Sequence, residues 1–169
     1  MEISAKDYKK YFEWLKTSRV VQAYFNHRFK SDELTIVGDL DLSNNEFIKE
    51  LVSVKSITGY LNLDNTPIES LGNLQSVGGS LSLYNTPIKS LGNLESVGGY
   101  LNLDNTPIKS LGNLQSVGGY LNLDNTPIES LGNLESVGGY LDLVNTPISK
   151  KMTEGEIRKM VKVKGKIYL

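Results

Sequence analysis

Residues 101–120 read Leu101-Asn102-Leu103-Asp104-Asn105-Thr106-Pro107-Ile108-Lys109-Ser110-Leu111-Gly112-Asn113-Leu114-Gln115-Ser116-Val117-Gly118-Gly119-Tyr120. The same phrase, with few changes, stands on both sides of this stretch. Four full copies run from Leu61 to Tyr140 (61–80, 81–100, 101–120 and 121–140), the first closing on Ser80 in place of tyrosine. A degenerate copy, one residue longer, precedes them from Leu40 to Tyr60, and a half copy follows from Leu141 through Ile148. A fixed short period marks a solenoid: each unit is too small to enclose its own apolar side chains and stacks on its neighbours to do so.

Within one copy, Leu101 and Leu103 have the two-residue spacing of a short strand with one face buried. Asn105-Thr106-Pro107 and Gly118-Gly119 interrupt that pattern and predict turns at its two ends. Leu111 and Leu114, three apart, predict a loose turn or a short 3₁₀ segment on the opposite side of the coil. Stacking then gives one parallel sheet with rungs ~4.8 Å apart.

L-x-L-x-x-T-x-I followed by apolar residues every three positions resembles the leucine-rich repeat, in a short bacterial-style form. Leu40-Asp41-Leu42-Ser43-Asn44-Asn45-Glu46-Phe47 is nearer still to the family's L-x-L-x-x-N-x-L. The later copies carry Thr66, Thr86, Thr106, Thr126 and Thr146 where the family has its ladder asparagine, with Asn65, Asn85, Asn105, Asn125 and Asn145 beside them to take over that backbone bonding. The S-V-G-G segment is also similar to the L-domain repeats of cell-surface receptors. Spanning residues 36–148, the resemblance implies an α/β leucine-rich-repeat solenoid, with a parallel sheet on one face and helical caps at both ends. It carries no function with it. G-G-Y-L-N-L-D has a superficial likeness to a calcium β-roll, but the fourth position is leucine and the aspartate falls one place late.

Outside the repeats, the expected arrangement is one continuous domain with an N-terminal cap over 1–35 and a C-terminal cap over 149–169. Ser4 and Asp7 fit a capping box ahead of Tyr8, Tyr11, Phe12 and Leu15 at helical spacing. A second helix over 18–28 would gather Val21, Tyr24 and Phe25. Thr153 and Glu156 repeat the box before Ile157, Met160 and Val161, and Gly165-Lys166-Ile167-Tyr168-Leu169 copies the G-Y-L-N-L strand.

Hydrophobic residues at 39% and charged residues at 22% place the chain among globular proteins and exclude wholesale disorder. There is no cysteine, which removes disulfides and thiolate metal sites and favours a reducing compartment. With no apolar leader at Met1–Lys6 and no long apolar run, the expectation is a cytoplasmic protein without membrane or cofactor. The net charge of −1 conceals segregation: residues 36–148 hold twelve Asp/Glu against four Lys/Arg, while 1–35 are net +2 and 149–169 net +5. The basic ends, including Lys9, Lys10, Arg19 and Arg28 at one and Lys150, Lys151, Arg158, Lys159, Lys162, Lys164 and Lys166 at the other, read as solvated caps. No nucleic-acid motif accompanies them.

If the strand leucines point inward, their neighbours form three outward columns. Tyr60, Ser80, Tyr100, Tyr120, Tyr140 and Lys166 make the first; Asn62, Ser82, Asn102, Asn122, Asp142 and Tyr168 the second; Asp64, Tyr84, Asp104, Asp124 and Val144 the third. Asp39, Asp41 and Ser43 add a degenerate rung. All four lysines of the middle section (Lys49, Lys55, Lys89, Lys109) are expected on turns away from this face. Asp104 and Asp124 would sit a rung apart as like charges, a conflict that the turn side mostly avoids by setting Glu69 by Lys89 and Lys109 by Glu129. A rule broken on one face and kept on another points to function on the first.

The face therefore reads as a non-catalytic binding surface, with Tyr60, Asp64, Tyr84, Tyr100, Asn102, Asp104, Tyr120, Asn122, Asp124, Tyr140 and Asp142 as contact residues. A protein with a basic patch is the expected partner; a glycan is the alternative. Catalysis is not expected, because the repeats hold no His, Cys or Arg and the sole histidine, His27, lies before them. Aspartates on an open sheet also have no pocket in which one pKa is raised for glycoside hydrolysis.

Overall fold

The computed structural model describes residues 2–15, 34–51 and 53–169, and of 11–15 the backbone alone. The described residues form a parallel β-solenoid with two sheets. One, seven-stranded, is built from Leu40–Asp41, Leu61–Asn62, Leu81–Ser82, Leu101–Asn102, Leu121–Asn122, Leu141–Asp142 and Ile167–Tyr168. Its register runs straight through the repeats, Leu61 on Leu81 on Leu101 on Leu121 on Leu141. This is the sheet the L-x-L spacing predicts.

The second sheet replaces the expected convex turn. Its eight strands are Glu2–Ser4, Leu34–Val37, Val54–Ile57, Ser76–Val77, Ser96–Val97, Ser116–Val117, Ser136–Val137 and Lys162–Val163. Each Ser-Val pair turns valine into the core and serine outward, and the backbone on either side bonds to the adjacent rung: Gln115 N donates to Glu95 O and Gly118 N to Val97 O, both at 2.8 Å. Leu111 to Leu114 is a tight turn, closed by Leu114 N on Leu111 O, and not a 3₁₀ segment. Lys55 accordingly lies on a strand of this sheet and not on a turn.

Between the sheets lies a core of repeated layers. Leu101, Leu103, Ile108, Leu111, Leu114 and Val117 are all buried, as are their equivalents in the other full copies. Each such side chain removed from water contributes roughly 1.5–3 kcal/mol, which one rung alone has no means to collect.

At the first corner, Asn65, Asn85, Asn105, Asn125 and Asn145 adopt left-handed backbone, φ between +54° and +58°, the region asparagine tolerates better than other side chains. Thr66, Thr86, Thr106, Thr126 and Thr146 are buried, and each hydroxyl donates to the leucine carbonyl three residues back at 2.6–2.8 Å. Threonine, not asparagine, thus bonds the backbone. The asparagine side chains are exposed and bond laterally, Asn65 Nδ2 to Asn44 Oδ1 and Asn85 Nδ2 to Asn65 Oδ1.

The Gly-Gly corner is tighter. A Cβ on Gly98, Gly118 or Gly138 would collide with the carbonyl oxygen of the glycine one rung earlier, so the backbones approach to a distance that admits only hydrogen. Gly118 and Gly119 bond there to Val97 O and Gly99 O.

Two helices are present among the described residues. α1 (Ala5–Leu15) follows an unexpected strand, Glu2–Ser4, and packs on Leu34–Val37 and Leu40–Asp41 with Tyr8 buried. Asp7 N donates to Ser4 Oγ at 3.1 Å, as the capping signal predicts. The helix expected over 18–28, with Val21, Tyr24, Phe25 and His27, lies outside the described residues, as do the side chains of Tyr11, Phe12 and Leu15. α2 (Glu154–Met160) begins with the expected reciprocal box between Thr153 and Glu156. Ile157 and Val161 are buried, but Met160 is exposed, because the chain leaves the helix there for strand Lys162–Val163. Ile167 then takes the first leucine position beside Leu141, whereas Leu169 is exposed.

Gly118→Ala is expected to lower stability by about 1–3 kcal/mol, as overpacking does. Gly155→Ala, in α2 with nothing near the new methyl group, should raise it by about 0.4–1 kcal/mol. Urea denaturation midpoints of the two variants check this; equal and small effects would mean that the corner has slack.

Candidate functional site

The strand face is assembled by the L-x-L sheet. Strand pairing places Asn62, Ser82, Asn102, Asn122, Asp142 and Tyr168 in one column, in the order expected. Tyr60, Tyr84, Tyr120, Tyr140 and Tyr168 are exposed, and Tyr100 is half-buried. Tyr100 and Tyr120 stack nearly parallel, ring centres 5.2 Å apart and planes 7° apart. Tyr140 meets Tyr168 edge to face at 6.0 Å. Tyrosine follows the Gly-Gly corner directly, so the close approach of the backbones there brings successive rings to stacking distance.

The polar residues of the face are less free than their exposed positions in the sequence pattern imply. Asn62, Asn102 and Asn122 each accept, through Oδ1, the N–H of the aspartate two residues on, at 2.9–3.1 Å. Asp142 does the same for Val144, and Asp41 for Ser43. That N–H bond is the main reason the Asp41 carboxyl titrates below its ordinary value. These are Asx turns that end the five strands concerned. The like-charge conflict is also softened: Asp104 Oδ1 accepts from Asn125 Nδ2 at 3.3 Å, and Asp124 Oδ1 from Asn145 Nδ2 at 3.0 Å. The aspartates therefore have a scaffold role besides any recognition. On the turn side, Lys109 meets Glu129 at 3.7 Å, both well exposed, a pair worth at most about 1 kcal/mol.

The third rung departs from the rest. Ser82 has replaced the asparagine, and the previous rung supplies the missing acceptor: Asp64 Oδ1 takes both Tyr84 N and Ser82 Oγ. Ser80 has replaced the tyrosine, and Ser80 Oγ accepts from Tyr100 N at 3.2 Å. The absent ring leaves a hollow of about 310 Å³ lined by Tyr60, Leu61, Asn62, Ser80, Ser82 and Tyr100. Ser80 and Ser82 were not among the contact residues read from the sequence; their break with the consensus was the available signal. A larger, shallow groove of about 740 Å³ runs along the second sheet over Ser76, Ser96, Ser116, Gly98 and Gly118 to Lys162 and Lys164. It went unforeseen because that sheet did.

Among the described residues no cluster of His, Cys, Asp or Glu is placed to hold a metal ion. No helix among them is long and apolar enough to cross a membrane. Set beside known proteins, the chain matches no family model, no curated protein and no solved structure.

Burial raises the Tyr8 hydroxyl far above its ordinary value. Tyr100 is raised too, by partial burial first and then by Tyr120, Asp64 and Tyr60 nearby. An unfolded chain gives up these protons near pH 10, where the native one keeps them. Stability is therefore expected to be flat up to about pH 10 and to fall as pH rises beyond it. Urea midpoints at pH 8 and pH 11 measure the drop, and Tyr100→Phe should make it smaller; an unchanged drop would assign it to Tyr8.

Proposed function

We propose that this chain is a non-catalytic, cytoplasmic binding module of leucine-rich-repeat type, which takes a protein with a basic surface patch on its tyrosine- and aspartate-bearing strand face. Helices α1 and α2 serve in this reading as the caps that a solenoid needs at its open ends. The supporting observation is the exposed tyrosine column: Tyr60, Tyr120 and Tyr140 stand out of the sheet with their rings against water. The core is already filled by leucine, isoleucine and valine, so beyond the ring contacts of Tyr120 with Tyr100 and of Tyr140 with Tyr168 this aromatic area is open to a partner.

Charge supports the same reading. Residues 36–148 carry a net −8, and the face has no lysine or arginine before Lys166. Rigid aromatic area set within a negative field suits Lys- and Arg-rich surfaces, which gain ion pairs and cation–π contacts together. Asp64, Asp104, Asp124 and Asp142 act here through their field, because their hydrogen bonds within the chain leave the charge in place. A glycan is the competing ligand, and salt separates the two: charge-driven association weakens as salt screens it.

Truncation of Tyr120 or Tyr140 to alanine is expected to weaken partner binding by about 1–3 kcal/mol each. The measurement is pull-down and affinity titration at 50 and 500 mM salt, comparing wild type with Tyr120→Arg/Tyr140→Arg. A basic protein bound by wild type at low salt and lost in both other conditions supports the proposal. Binding that ignores salt and follows an immobilised oligosaccharide would replace it with the glycan reading.

A further inference from the structure

The tyrosine column has one gap. Tyr100 stacks on Tyr120 through one face, and its other side borders the hollow above Ser80, with Tyr60 as the opposite wall. Tyr60 and Tyr100 belong to rungs two apart, so they stand ~9.6 Å from each other at ~4.8 Å per rung. A planar group inserted midway would lie ~4.8 Å from each ring, close to the spacing that Tyr100 and Tyr120 themselves adopt. The gap is one ring thick.

We infer that this gap is an arginine slot: the guanidinium of a basic partner inserts between Tyr60 and Tyr100, over Ser80 and beside Asp64. The inference rests on the strand-face reading and names its anchor. Guanidinium is planar, weakly hydrated and cationic, and it stacks on aromatic faces where an ammonium acts only as a point charge. Ser80 and Ser82 on the lining offer hydroxyl oxygens to its N–H groups. Asp64 is held against that lining by its bonds from Ser82 Oγ and Tyr84 N, which fixes a negative charge next to the slot. The volume, about 310 Å³, is at the small end of ligand sites, about 300–1,000 Å³. That suits one side chain better than a sugar chain or a folded element.

Ser80→Tyr fills the slot with the residue that the other full repeats carry, so the variant keeps the fold by design; Tyr60→Ala removes one wall. Acetylated penta-arginine and penta-lysine carry equal charge, so their difference reads stacking while their common binding reads the acidic face. Calorimetric titration at low salt, with circular dichroism to verify folding, should show penta-arginine bound about five-fold more tightly than penta-lysine by wild type. That preference should fall to about one in both variants. Equal binding of the two peptides by wild type would overturn the slot and leave the acidic face standing. A preference that survives Ser80→Tyr would also overturn it. Binding of neither peptide would remove the slot and the strand-face reading together. Chitohexaose bound by wild type and blocked in Ser80→Tyr, with the peptides inert, would give the slot to a sugar ring and overturn the arginine assignment.

Discussion

Everything in this solenoid depends on backbone meeting backbone at the Gly-Gly corner. Where Gly98, Gly118 and Gly138 lie over the glycine of the rung before, carbonyl oxygen occupies the place a side chain would need. The N–H groups there close onto the preceding rung at 2.7–2.9 Å. That contact joins the two sheets, since one strand ends before the corner and the other begins just after it. It sets one spacing for both sheets, for the leucine layers between them and for the tyrosines outside. Stacking of Tyr100 on Tyr120 is therefore a property of the corner as much as of the rings.

Much of this was legible from residue spacing, and the physical reason is periodicity. Leu101 and Leu103 sit two apart, which only an extended chain converts into one buried face. Thr153 and Glu156 announce a helix start because the box joins two side chains to two backbone N–H groups that would otherwise lack partners. The second sheet was not legible. Ser116-Val117 is two residues long, and two residues show no period; what makes them a strand is the pairing of Ser116 with Ser96 and Ser136, a fact about neighbours and not about the segment. The exchange of roles between Asn105 and Thr106 was hidden likewise. Either side chain is able to bond backbone, and the left-handed turn at asparagine decides that threonine points inward.

The candidate face divides the same way. Its columns followed from alternation and reappear in the register. Its hydrogen bonds did not follow, because Asn102 and Asn122 curl onto the aspartates two residues ahead, and Asp104 and Asp124 reach a neighbouring rung. The repeats are so alike that a feature shared by all of them tells little about selection. The informative positions are the departures. Ser80, Ser82 and Tyr84 change together in one rung, and Asp64 compensates from the rung before. A copied unit has acquired an individual place along the rod.

The uniform twenty-residue register has a consequence for how such a chain changes length. Each interior rung presents the same upper and lower surface, so an inserted or deleted copy meets neighbours it already fits, and the molecule grows or shrinks by ~4.8 Å with its core unbroken. The rod behaves as a ruler whose graduations are interchangeable, marked at a single place by the serine-bearing rung. Adding copies beyond that mark extends the face without disturbing it, and a copy inserted between Tyr60 and Tyr100 would erase its spacing.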